Sequence, residues 1–101
     1  MNFKIRSEEL NEGLNFIDIY ENELIGTAEI DYTNDKIFLE NIVRDKTYSG
    51  KRILISFIDY LSSFGKDIAC LPLPKYISYY ESLGFRLYQQ IGEDKYYIKK
   101  N

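Results

Sequence analysis

The residues of this chain best suited to chemistry gather around one stretch, Ile42 to Phe64, with Glu40 just ahead of it. The stretch begins as the end of an apolar strand and passes through a polar loop containing one glycine, Gly50. It then becomes an amphipathic helix whose apolar residues Ile53, Leu54, Phe57, Ile58, Leu61 and Phe64 follow helical spacing. A strand that delivers a polar turn to a helix N-terminus is suited to anions, because the first backbone N–H groups lack intrahelical acceptors and carry the positive end of the macrodipole. Ser49, Gly50, Lys51 and Arg52 fall at that point. Two cations in a first helical turn oppose the dipole by about 0.3–1 kcal/mol each, and a bound anion would reverse the sign. The alternative is that both side chains reach into water. Glu40 lies mid-strand between Leu39 and Asn41, where a partly buried carboxylate with a raised pKa would accept a proton from an amine or orient a water. Its alternative is a solvated charge on a sheet face, and Glu29, near it across a hairpin, has the same two readings. Cys70 falls in a buried run and packs as a small apolar group, with no histidine anywhere in the chain to activate it.

Composition narrows the chemistry further. With 101 residues, 45% of them hydrophobic, the chain is expected to form one domain over residues 1–101 around a single core. One cysteine excludes an intramolecular disulfide and a multi-thiolate metal site. The absence of histidine removes the commonest metal ligand and general base. No metal is expected. A net charge of −3 supplies no global field for nucleic acid, and the ten tyrosines mostly alternate within strands or sit at helix spacing, which suits core and interface use. No apolar run approaches a bilayer span, and Met-Asn-Phe-Lys-Ile-Arg has no apolar signal segment, so a cytoplasmic protein without membrane contact is expected.

The elements that must position these residues follow from periodicity. Residues 2 to 6 alternate as a short strand, and residues 7 to 13 form a polar connection too short for a pair of helices. Leu14 to Tyr20 and Leu24 to Tyr32 form a hairpin turning at Glu21, Asn22 and Glu23. Asn34 and Asp35, both tolerant of positive φ, turn the chain into a strand from Ile37 to Val43. The helix over 51 to 64 stops at Gly65 and Lys66, and Asp67 to Leu71 suits a buried strand, parallel to 37 to 43 in a right-handed βαβ unit. Pro72 and Pro74 set an extended exit and start a second helix over about 74 to 83, packing Ile77, Tyr80 and Leu83 and ending at Gly84. Phe85 to Ile91 and Tyr96 to Lys100 close as a hairpin around Gly92 to Lys95. The predicted class is α/β (α+β), a mixed, mostly antiparallel sheet with a central parallel βαβ unit in the order ββββαβαββ.

Two fragments carry a family resemblance. Tyr79-Tyr80-Glu81-Ser82-Leu83-Gly84-Phe85 closely resembles the aromatic-Tyr-Glu-x-Leu-Gly-Phe segment of the GNAT superfamily of acetyl-CoA-dependent N-acetyltransferases. Tyr48-Ser49-Gly50-Lys51-Arg52-Ile53-Leu54 is similar to that family's pyrophosphate loop, usually Tyr-Arg-Gly-x-Gly-x-Gly or Ala. The resemblance covers about residues 14 to 100. It implies that the strands at 37 to 43 and 67 to 71 splay, with acetyl-CoA in the opening beside Ile42 and Val43 and its pyrophosphate on the N–H groups of Ser49, Gly50, Lys51, Arg52, Ile53 and Leu54. It also implies that Tyr80 protonates the departing CoA thiolate, and in such a reaction Glu40, by its place just before the loop, would assist amine deprotonation. The chain departs from the pattern with Ser49 in the place of the loop arginine, and with Arg52 and Leu54 in the places of two small residues. Leu73 stands where many members carry asparagine. Residues 7 to 13 replace two helices, as in the shortest members.

Two functions follow from different classes. One is an acetyl-CoA-dependent N-acetyltransferase acting on an unidentified amine; the other is a degenerate member that keeps the fold as a binding or regulatory module. Acceptor choice would come from loops and from a partner copy if the chain forms a homodimer.

Overall fold

A computed structural model describes residues 1–101. Its strands are β1 (Asn2–Ile5), β2 (Gly13–Glu21), β3 (Glu23–Tyr32), β4 (Lys36–Arg44), β5 (Asp67–Cys70), β6 (Arg86–Ile91) and β7 (Asp94–Lys99), with helices α1 (Gly50–Ser62) and α2 (Ile77–Ser82). All seven strands join one sheet in the order β1-β2-β3-β4-β5-β7-β6. Strands β4 and β5 are parallel, as predicted, and every other pair is antiparallel. The ββββαβαββ order therefore holds. No helix is long and apolar enough to cross a membrane.

The core lies between α1 and one face of the sheet. Ile53, Leu54, Phe57, Ile58 and Leu61 are all buried against Ile17, Ile19, Ala28, Ile30, Ile37, Leu39 and Ile68. Full burial of each large apolar side chain is worth about 1.5–3 kcal/mol, so this seam fixes where α1 starts and which way it points. Phe64, expected in the same helix, lies beyond its end and is half-buried, edge-on to Tyr60 at 5.3 Å.

Other boundaries shift for local reasons. Neither Asn34 nor Asp35 takes positive φ. Thr33 holds that turn instead, its hydroxyl donating to the Lys36 carbonyl (2.9 Å) and accepting from the Lys36 amide (3.1 Å). The short connection after β1 is stapled by Asn15, 4% exposed, whose amide nitrogen donates to the carbonyls of Asn11 (2.6 Å) and Gly13 (2.9 Å). The second predicted helix divides into a 3-10 turn over Pro74–Tyr76 and the short α2.

Helix α2 ends in a Schellman motif, with Gly84 at φ +99° as its left-handed residue. The Phe85 amide donates to the Tyr80 carbonyl (3.1 Å) and the Gly84 amide to the Glu81 carbonyl (3.0 Å). The accompanying apolar contact is the Tyr80 ring edge-on to Phe85 at 5.4 Å. Lys99 Nζ donates to the Leu83 carbonyl (2.6 Å), a cation at the negative end of the helix. Replacing Gly84 with Ala forces a Cβ into the left-handed region and should lower folding stability by about 1–2 kcal/mol in urea unfolding. An unchanged midpoint would show that the helix end relaxes.

Candidate active site

Parallel pairing of β4 and β5 runs from Lys36↔Asp67 to Leu39↔Cys70 and stops. Beyond it β4 stays with β3 as far as Gly26↔Arg44, while β5 pairs on its other side with β7 through Cys70↔Tyr97. Between Leu39 and Asn41 the register against β3 slips, since Leu39 faces Ile30 and Asn41 faces Glu29, so Glu40 is the extra residue of a bulge. A bulge re-aims the side chains that follow it. Ile42 accordingly joins the packing around the core, and Val43 is 63% exposed.

The parting opens a cavity of about 630 Å³, within the range of roughly 300–1,000 Å³ usual for small-molecule sites. Glu40, Ile42, Ser49, Gly50, Lys51, Leu54 and Tyr80 line it, bringing together most of the residues singled out by sequence. Val43, Arg52 and Ile53 do not. Ile53 is 1% exposed in the core, and Arg52 leaves the loop to meet Glu21, Nη2 to Oε1 3.5 Å. Glu40 is exposed at the cavity edge, the solvated of its two readings, because the bulge carries it out of the packed sheet.

The loop is organised around Asp45 and Ser49. The Asp45 carboxylate accepts from the Thr47 amide and hydroxyl, both at 2.9 Å, and these bonds hold its pKa below the ordinary carboxylate value. Ser49 is the N-cap of α1, its hydroxyl accepting from the Arg52 amide at 3.3 Å. That capping role gives the Ser49 departure from the arginine pattern a physical reason. The amides of Ser49, Gly50 and Lys51 donate to no group of the chain, so they remain free donors at the N-terminus of α1.

On the opposite wall stand Tyr79 and Tyr80. Tyr79 Oη donates to the Lys51 carbonyl at 3.3 Å, and Lys51 Nζ lies 5.3 Å from the centre of the Tyr79 ring. Tyr80 makes no hydrogen bond through its hydroxyl, and burial, helped by Cys70 and Tyr79 nearby, pushes its pKa up to about 12. Burial likewise raises the Cys70 thiol to about 12. A protonated thiol at neutral pH is no nucleophile, in agreement with the packing role.

Arg44, Tyr76 and Tyr79 also line the cavity, and sequence reasoning passed over all three. Tyr79 had a signal, since it stands beside Tyr80 in the recognised fragment. Arg44 had none, because its relation to the loop depends on the bulge.

No protein-family model and no curated protein matches the sequence. Similar architectures do appear among solved structures. One is the PaiA N-acetyltransferase of Thermoplasma acidophilum in complex with coenzyme A, at 20% identity with a TM-score of 0.66 over 88% of this chain and 62% of that one. Another is the N-acetyltransferase PseH of Campylobacter jejuni in complex with acetyl coenzyme A, at 14% identity and TM-score 0.71 over 90% and 70%. A third is a GNAT-family protein of Bacteroides thetaiotaomicron, at 13% identity and TM-score 0.70 over 93% and 65%. The chain has the GNAT fold. It spans less than two thirds of the first and third of these relatives, at 62% and 65% of their lengths. Within the GNAT fold, the cavity described above is the opening between the two parallel strands.

The raised pKa values carry a pH consequence. Cys70 and Tyr80 hold their protons more tightly folded than unfolded, so their contribution to stability is complete below the ordinary values of 9.0 and 10.0 and is lost as pH rises toward about 12. Folding stability should therefore fall from about pH 9 upward, and Cys70→Ala should flatten the early part of that fall. At neutral pH a thiol reagent should label Cys70 only as fast as the chain opens, so labelling should accelerate with urea. Rapid labelling without urea would contradict the burial.

Proposed function

We propose that this chain is an acetyl-CoA-dependent N-acetyltransferase acting on an amine acceptor. The observation that carries this reading is the single opening whose walls bear the unpaired amides of Ser49, Gly50 and Lys51 on one side and the unpartnered Tyr80 hydroxyl on the other. Coenzyme A or acetyl coenzyme A occupies two of the similarly folded proteins, which supports the assignment. The residues present suit the cosubstrate. The free amides are donors for a pyrophosphate. The bulky substitutions in the loop leave the anion end open, since Arg52 turns to Glu21 and Leu54 is 8% exposed.

Acetyl-CoA would supply the acyl thioester. The chain's own residues would do the rest. The amides of Ser49, Gly50 and Lys51 hold the pyrophosphate, and the β5-facing edge of β4 beyond Leu39, including Ile42, borders the pantetheine arm. Tyr80 keeps its proton at neutral pH and presents Oη as a donor to sulfur. A phenol near 12 is a weak acid toward a thiolate in water. Burial beside Tyr80 also disfavours the charged form of a thiolate released there, however, which narrows the gap relative to water. Glu40, exposed at the edge, attracts a cationic amine and takes its proton through water. Unpaired Cys70 suits a reducing cytoplasm.

Tyr80→Phe removes one oxygen and keeps the ring. It should lower kcat by roughly 10²–10⁴ in an assay of CoA release over a panel of amines, with CoA affinity little changed. The Tyr80 hydroxyl bonds nothing in the chain, so the urea midpoint should stay where it is. Unchanged turnover would remove Tyr80 from the chemistry. Failure of the wild-type chain to bind acetyl-CoA at millimolar concentration would leave the binding-module alternative.

A further inference from the structure

We propose that Arg44, the last residue of β4, is the cation that grips the cosubstrate's pyrophosphate, taking over from the arginine that the loop lacks; this rests on the acetyl-CoA reading of the site. Its guanidinium lies in the cavity beside Ser49, Gly50 and Lys51. Only Nη1 is used within the chain, donating to the Tyr48 carbonyl at 2.8 Å and more weakly to the Asp45 carbonyl at 3.5 Å. These bonds anchor one corner of the fork. Nε and Nη2 donate to no protein group, and no carboxylate pairs with the side chain.

The position of the free corner is set by Gly50. A Cβ added there would sit 2.8 Å from Arg44 Nε and 3.2 Å from Nη2, so the missing side chain is what lets the guanidinium lie across the first turn of α1. There it stands next to the amides that have no acceptor. A cation held against the positive end of a helix, with two donors unused and no counter-charge, is an arrangement that an anion completes. The guanidinium fork matches phosphate oxygens in pairs.

The two basic residues in the first turn of α1 have contacts of their own. Arg52 meets Glu21 at 3.5 Å, and Lys51 Nζ lies 5.3 Å from the centre of the Tyr79 ring.

Calorimetric titration of CoA into wild type, R44Q and R44K at low and high salt tests this. R44Q should bind CoA about 10–100-fold more weakly, the scale of a charge-assisted hydrogen-bonded contact, with a shallower salt dependence. R44K, which keeps the charge and a donor for the Tyr48 carbonyl but loses the fork, should fall between the two and retain the salt dependence. If R44Q unfolds, R44K alone carries the comparison through its loss relative to wild type. Wild-type affinity in both variants, or a loss in R44Q with unchanged salt dependence, overturns the role of Arg44 and leaves the acetyl-CoA reading intact. No binding by wild type at millimolar CoA overturns both.

Discussion

Strand β4 cannot serve two neighbours past Leu39, and the rest of the site depends on that limit. The bulge at Glu40 holds β4 against β3 as far as Arg44, while β5 is committed to β7 through Cys70. In the middle of a sheet, strands normally spend all their backbone groups on one another, and a buried unpaired group costs about 1–3 kcal/mol. The groups facing the opening escape that cost only by reaching solvent or a ligand. A cleft in the centre of the sheet is the result. The helical seam beneath keeps it from closing, because Ile53, Leu54, Phe57 and Leu61 already fill the space under β4 and β5.

The two walls of the opening are set by different devices. On the α1 side, the Ser49 cap satisfies the third helical amide and leaves the earlier donors free. On the α2 side, a helix of only six residues could not hold a side chain in place by length. The Schellman motif at Gly84 and the edge-on contact with Phe85 fix Tyr80 instead, and the Tyr79 hydroxyl ties this short helix to the first turn of α1. The Tyr-Glu-Ser-Leu-Gly-Phe fragment is thereby legible as a helix stop that aims a tyrosine.

Charge is distributed with the same division. Arg52, which the sequence places in the loop, pairs with Glu21 at the end of β2, whereas Arg44, which the sequence places in a strand, lines the cavity. Burial rather than ion pairing governs the titration of the inner wall. Cys70 and Tyr80, neutral already at pH 7, are driven further toward the neutral form, and the same cleft carries the charges of Glu40, Arg44 and Lys51.

Sequence by itself determined the element order, the parallel βαβ unit, the turn glycine at Gly84 and the face of α1 that enters the core. These follow from periodicity and local backbone chemistry, which act within a few residues. The grouping of Glu40, Ser49, Gly50, Lys51, Leu54 and Tyr80 was legible too, through a resemblance confined to two short fragments. Tertiary structure alone decided the rest. A single inserted residue at Glu40 reverses which side chains of β4 face the cleft, turning Val43 outward, and it brings Arg44 to Gly50. Alternation along the strand predicts the opposite set. Arg52 and Glu21 lie 31 positions apart and meet only once the sheet has formed. Bulges and long-range pairs are settled by which neighbour a strand finds on each side, and that information is carried by no single segment.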